Sequence, residues 1–132
     1  MGTESDNAAR GLLVELEERL ATHDLDRMAE FFTDDVVLIG DSVENFDRSS
    51  TVAYLKLMAD MTPTVRWDWD RVSVVYDSPE VMCFAAAGAM TFYNEEQEPL
   101  GQSEPFRVTC LAVRTAAGWR LQHFHGSAPQ AE

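Results

Sequence analysis

Between Val65 and Tyr76 the apolar residues change phase. Trp67 and Trp69 alternate with Arg66, Asp68 and Asp70, and then Val72, Val74 and Tyr76 resume the alternation one residue late. A strand keeps one face on the core only while its alternation holds, so a one-residue slip inside a strand implies a bulge, and a bulge bends the sheet. A chain with such a strand is committed to a curved sheet. The segments after it supply that sheet: a strand from Val81 to Tyr93, a strand from Phe106 to Arg114, a turn near Gly118 and a last strand from Trp119 to Ser127. Ala85, Ala86, Ala87 and Ala89 crowd the first of these and leave room beneath a bent surface. The connecting loop from Asn94 to Pro105 carries Glu95, Glu96, Glu98 and Glu104. Those charges repel one another, so the loop is expected to stay mobile or to act as a rim.

The other half of the chain reads as helix. Ala9, Leu12, Leu13, Leu16 and Leu20 recur at helical spacing between Asp6 and Thr22, with Glu15, Glu17, Glu18 and Arg19 on the opposite face. Asp24 is placed to cap a short second helix in which Leu25, Met28 and Phe32 share a stripe. Thr33 to Asp35 break that pattern, and the aliphatic run Val36 to Ile39 predicts a buried strand ending at Gly40 and Asp41. After a polar connection from Ser42 to Arg48, Ser49 or Ser50 can cap a third helix carrying Val52, Leu55 and Ala59 and ending before Pro63. Leading helices followed by a long antiparallel meander predict an α+β fold in one domain, residues 1–132, with about 1–7 and 129–132 flexible.

A formal charge of −13 argues against phosphate backbones and anionic lipid as partners, because the general field repels both. The chain has no run of ~20 apolar residues and an acidic start, which predicts a cytoplasmic protein with no membrane partner. Cys83 and Cys110 each sit inside an apolar run and read as buried free thiols. No cofactor is expected.

On the last strand, a period of two puts Trp119, Leu121, His123, His125 and Ser127 on one face and Arg120, Gln122 and Phe124 on the other. Two histidines at i and i+2 are open to acid-base work, ligand contact or a structural hydrogen-bonding role; with no third ligand evident, a metal is not expected. Tyr54, Trp67, Trp69 and Tyr93 could wall a pocket with rings that end in polar tips, or belong to the core.

Three stretches carry a family resemblance. "DLDRMAEFFTDDVVLIGD" and "IGDSVENFDRSSTVAYL" resemble the second-helix, first-strand and third-helix region of the nuclear transport factor 2-like superfamily, and "RVTCLAVRTAAGWRLQHFHGS" resembles the last hairpin of its SnoaL-like members. The portion from Trp119 to Ser127 is also similar to the association domain of calcium/calmodulin-dependent protein kinase II. The resemblance implies a cone-shaped, curved antiparallel sheet wrapped around N-terminal helices, the cystatin-like architecture. It also implies pairing into a homodimer through the open face of the sheet.

By the same resemblance, Asp41 matches the carboxylate that ketosteroid isomerases use as a proton-shuttling base, and an apolar mouth would raise its basicity. The other reading is a loop aspartate that caps the next turn, since loop aspartates usually bond local backbone. Arg107, if inward like its SnoaL-like counterpart, would offer a forked donor to a carbonyl or enolate; otherwise it pairs with Glu104 at the surface. The chain departs from the isomerases where they carry a helix tyrosine and a late-strand acid, having Leu16 in the one place and Arg107 and Thr109 in the other. Steroid isomerisation by that mechanism is therefore not expected.

The expected function is a pocket that binds a small, largely apolar metabolite. As an enzyme it would be a cofactor-independent isomerase, cyclase or dehydratase, with Asp41, His125 and Arg107 catalytic and Tyr54, Trp67, Trp119, His123 and Tyr93 contacting ligand. The alternative is a non-catalytic ligand-binding or association module.

Overall fold

The computed structural model describes residues 3–62 and 64–129. Three helices, α1 (Thr3–Ala21), α2 (Leu25–Ala29) and α3 (Arg48–Met61), lie against a sheet of six strands: β1 (Phe32–Ile39), β2 (Glu44–Asn45), β3 (Thr64–Asp77), β4 (Val81–Tyr93), β5 (Glu104–Thr115) and β6 (Gly118–Ser127). The sheet order is β2-β1-β6-β5-β4-β3. From β3 to β6 the chain makes the expected antiparallel meander, but β1 joins β6 in parallel, so the sheet is mixed. The reason is topological: β1 is reached from the helices and not by a hairpin, so nothing forces it to run antiparallel.

All five apolar residues expected on α1, Ala9, Leu12, Leu13, Leu16 and Leu20, are buried against the sheet. The helix starts earlier than its apolar stripe suggests. Residues 3–7, expected to be flexible, form its first turns, because the Ser5 hydroxyl donates to the Asp77 carboxylate and Asp6 accepts the Val74 amide at 3.2 Å. The frayed tail expected after Pro129 lies outside the described residues.

Strand β3 ends the sheet, and α1 covers its open edge with polar side chains. Glu17 accepts the Trp67 amide at 2.7 Å, and Arg10 donates to the Trp69 carbonyl at 3.0 Å. An uncovered edge would present unpaired backbone groups to other chains. Glu17 therefore faces β3 and not solvent, as its place opposite the leucines had suggested.

Asp24 caps α2 as expected, but the helix closes at Ala29. Phe32 is fully buried as the first residue of β1, and Leu25 is exposed. Thr33 to Asp35 stay within β1. Its ladder with β6 shifts there, and Gln122 donates to Asp35, whose carboxyl is held below its ordinary value by the Thr33 hydroxyl and by Gln122. The polar connection after Asp41 contains the short strand β2, paired to Leu38 and Ile39. Asp47, not Ser49 or Ser50, caps α3 by accepting the Ser50 amide at 2.8 Å. Val52 and Ala59 of that helix are buried and Leu55 packs beside them.

The phase change in β3 is a bulge. Trp69 pairs Gly88 and Arg71 pairs Ala87, leaving Asp70 unopposed; a second shift leaves Val75 unopposed between Val74 and Tyr76. Trp67, Trp69, Val72 and Val74 consequently all pack on the core. The acidic loop after β4 is laced by hydrogen bonds: Asn94 accepts the Glu98 and Gln97 amides, Phe92 accepts Leu100, and Tyr93 bridges Pro99.

Candidate functional site

The sheet has an inward face, on the helices, and an outward face, and the expected site residues divide between them. The division follows from a bulge in β6. Leu111 pairs His123 and Ala112 pairs Leu121, so Gln122 is unopposed and the alternation slips by one residue. Trp119 and Leu121 turn inward before the bulge and Phe124 after it, all packed with the core. His123 and His125 are thereby left on the outward face, and the single face expected to run from Trp119 to Ser127 does not exist. The signal was present in the sequence: Leu121 and Phe124 are three apart, a spacing that an unbroken strand cannot bury on one side.

Inward, Trp67 is the hub of an aromatic cluster. Its ring stacks on Phe106 at a centroid distance of 6.3 Å and contacts Trp69 at 5.7 Å and Phe124 at 6.5 Å. Gly126 makes that cluster possible, since a Cβ there would come within 2.7 Å of the Phe106 ring. The Trp67 indole Nε1 is buried and meets no acceptor among the described residues, and the Asn45 amide Nδ2 is in the same condition. Asn45, Leu38 and Phe124 occupy one row across β2, β1 and β6, which sets Asn45 beside the cluster. Tyr54 of α3 packs on the same core. Burial, helped by the negative charge of Asp41, pushes its hydroxyl above the ordinary tyrosine value, so it remains protonated and able to donate. Asp41 itself is exposed just beyond β1, where its Oδ2 accepts the Ala128 amide at 3.3 Å.

Outward, Arg107 and His125 line an open groove of about 490 Å³ with Arg71, Ser73, Thr109 and Ser127, over Ala85 and Ala87. Arg107 is outward because Phe106 and Val108 are the inward residues of β5. It pairs not with Glu104 but with Ser127, donating from Nε to Oγ at 3.1 Å. The alanine run does leave room, but Ala85 and Ala87 open it on the outward side. His123 lies in the next row, its Nδ1 3.1 Å from the Val37 carbonyl. A carbonyl only accepts, so Nδ1 carries the hydrogen. The two imidazoles meet edge to face at 6.2 Å.

Two expected ligand contacts are elsewhere. The Trp119 ring lies under the Arg114 guanidinium at 4.6 Å, and Tyr93 lies under that of Arg66 at 5.5 Å. Neither lines the groove. Both thiols are free, but only Cys110 is buried, and burial raises its pKa strongly; Cys83 points outward, half-buried. Among the described residues no group of three or more His, Cys, Asp or Glu is placed to hold a metal ion. Among them, too, no helix is long and apolar enough to cross a membrane.

Residues 10–131 match the SnoaL-like domain family, and the chain belongs to it. Solved structures agree on the fold. An NTF2-like protein from Streptomyces avermitilis, provisionally named a dehydratase, superposes with a TM-score of 0.79 at 13 % identity, over 97 % of this chain and 98 % of its own. A Xanthomonas campestris protein provisionally named a calcium/calmodulin-dependent protein kinase II association domain gives 0.80 at 16 % identity, over 95 % and 88 %. An NTF2-like protein with a cystatin-like fold from Novosphingobium aromaticivorans gives 0.71 at 11 % identity, over 97 % and 84 %. No curated protein matches the chain. At these identities the likeness speaks for the fold alone.

Proposed function

We infer that the chain binds a small, largely apolar molecule bearing a hydrogen-bond acceptor, on the inward side of the sheet, and moves a proton on it without a cofactor. The observation that carries this reading is the buried Trp67 Nε1, which meets no acceptor among the described residues. A buried donor left unpaired costs about 1–3 kcal/mol, a cost that a ligand carbonyl would remove. Asp41 is the candidate base and Tyr54 the candidate donor to an oxyanion. The Tyr54 hydroxyl, kept protonated by burial and by the Asp41 charge, suits that part. This is the chemistry of an isomerase, cyclase or dehydratase.

Acetophenone is a suitable probe, since it joins an aromatic body to a carbonyl with exchangeable protons beside it. It should bind about tenfold more tightly than ethylbenzene, and Trp67→Phe, which removes the N–H but leaves a smaller aromatic ring in place, should abolish that preference, a difference of about 1.4 kcal/mol. In deuterated water, exchange of its methyl protons should be slowed at least ~100-fold by Asp41→Asn, the lower end of what a positioned base contributes. Equal binding of the two probes to the native protein would remove the ground for this reading.

A second reading, an association module that pairs through the sheet, rests on a different observation. Tyr76, Cys83, Leu111, His123 and Val37 form one row across five strands of the outward face, with Val81 and Val113 paired beside Cys83 and Leu111. An apolar band of this kind on a sheet face is suited to a second copy. Sedimentation at micromolar concentration should give a homodimer, and Leu111→Glu should return it to the 14.8 kDa monomer. A native protein that sediments only as monomer would dispose of the pairing.

A further inference from the structure

We propose that the outward groove is a separate binding site for a small organic carboxylate, independent of the inward aromatic cluster. Its construction can be read from the strand register. One row across the sheet runs Arg71, Ala87, Arg107, Ser127, and the next runs Ser73, Ala85, Thr109, His125. Two alanines at i and i+2 of β4 therefore form a floor, flanked on β3 and β5 by polar side chains only. Alanine is a poor strand former, and placing it outward on a central strand gives up packing and propensity together. What the sheet gains there is a hollow of about 490 Å³, within the range of small-molecule sites.

The lining selects the charge of the occupant. Arg71 and Arg107 are the groove's two guanidinium groups, and none of its lining residues is acidic, in a chain with 23 acidic residues against 10 basic ones. Their Cα atoms flank Ala87 at roughly 10 Å, two strand spacings, and only a methyl group stands between them. Neither arginine makes an ion pair among the described residues. Arg107 spends one N–H, at Nε, on Ser127, which fixes the plane of the guanidinium and leaves its terminal nitrogens free to donate. Ser73, Thr109 and His125 add donors across the alanine floor.

A carboxylate suits this set better than a phosphate. The arginine fork is matched by a planar two-oxygen group, the floor accepts an apolar body, and the net charge of −13 penalises a dianion more than a monoanion. The inward reading asks for a carbonyl on an apolar body beside Tyr54, where the Asp41 charge already acts and would repel an anion, so the two sites select different molecules.

The test uses benzoate, with benzamide as its neutral isostere, titrated into the native protein and followed by backbone amide NMR. Benzoate should saturate, with the largest shifts at Ala85, Ala87, Thr109 and Ser127, and benzamide should bind at least tenfold more weakly. Arg71→Gln and Arg107→Gln should each weaken benzoate at least fivefold, with unchanged melting because both side chains are exposed. Trp67→Phe should leave benzoate binding untouched, so this proposal and the inward reading can fail separately. The proposal is overturned if benzoate and benzamide bind alike, or if the arginine variants bind benzoate as the native protein does. It is also overturned if a dimer covers the groove so that benzoate causes no shifts at millimolar concentration.

Discussion

Gly88→Ala is expected to destabilise the fold by about 3 kcal/mol or more, a large effect for one methyl group. Gly88 pairs Trp69, next to the unopposed Asp70. A Cβ at Gly88 would lie 2.0 Å from the Asp68 carbonyl oxygen and 2.8 Å from the Trp69 Cα. Those atoms are backbone, so no side chain can swing away; β3 itself would have to leave β4 where the bulge bends the sheet. Gly126→Ala should cost less, because the atoms it meets belong to the Phe106 and Phe124 rings, which can tilt. Gly11→Ala supplies the opposite control: an exposed helix position with nothing within 4 Å, where alanine should stabilise by roughly 0.5–1 kcal/mol. Urea midpoints for the three variants should fall in that order. A Gly88→Ala midpoint within error of the native protein would mean that the close approach of β3 and β4 is not maintained in solution.

The bend at Gly88 was legible in the sequence from the neighbouring strand, as the phase change between Trp69 and Val72. The same reasoning failed in β6, and the contrast explains why. In β3 the residues on both sides of the slip are apolar, so the slip is visible as a displaced pattern. In β6 the slip falls at Gln122, between Leu121 and His123, and the histidines after it are ambiguous: they can line a pocket or face water. Reading straight through placed His123 and His125 on the same face as Trp119. The parallel pairing of β1 with β6 was hidden for another reason, since strand direction is set by how distant segments dock and leaves no mark on the strand's own alternation.

The inward cluster was partly legible. Trp67 and Tyr54 were identified as aromatics with polar tips, but the partners that leave the Trp67 N–H unpaired come from β5 and β6, 39 and 57 residues away in Phe106 and Phe124. The outward groove had a local signal, the alanine run, whose direction could not be read without the bulge in β3 that sets Arg71 opposite Ala87. Arg71 accordingly drew no notice in the sequence, while His125, read there as pocket lining, and Arg107, whose direction the sequence left open, both lie on the outward side. Glu17 was missed because a carboxylate on a helix surface is most often solvated, and only the position of the β3 edge gives it an amide to accept.

Phe84→Ala should remove about 3–5 kcal/mol, the cost of emptying a fully buried aromatic site. Phe84 is completely inaccessible and lies in the middle of the inward row that joins Val74, Cys110, Phe124 and Leu38. Strands hold it on both sides, so its backbone neighbours cannot close over the space, and the α1 leucines opposite are fixed by the polar contacts of Asp6, Arg10 and Glu17 to the β3 edge. Little collapse is possible, which puts the loss in the upper part of the range. Domains of this size are typically stable by only about 5–15 kcal/mol, so the variant should still fold but unfold at a much lower urea midpoint with an unchanged slope. Because Phe84 faces inward and Ala85 faces outward, benzoate binding in the groove should survive wherever the variant is folded, while the acetophenone preference mediated by Trp67 should weaken as the inward packing loosens. A loss under about 1.5 kcal/mol would show that the inward face can repack around the missing ring, and the rigid aromatic frame invoked for Trp67 would go with it.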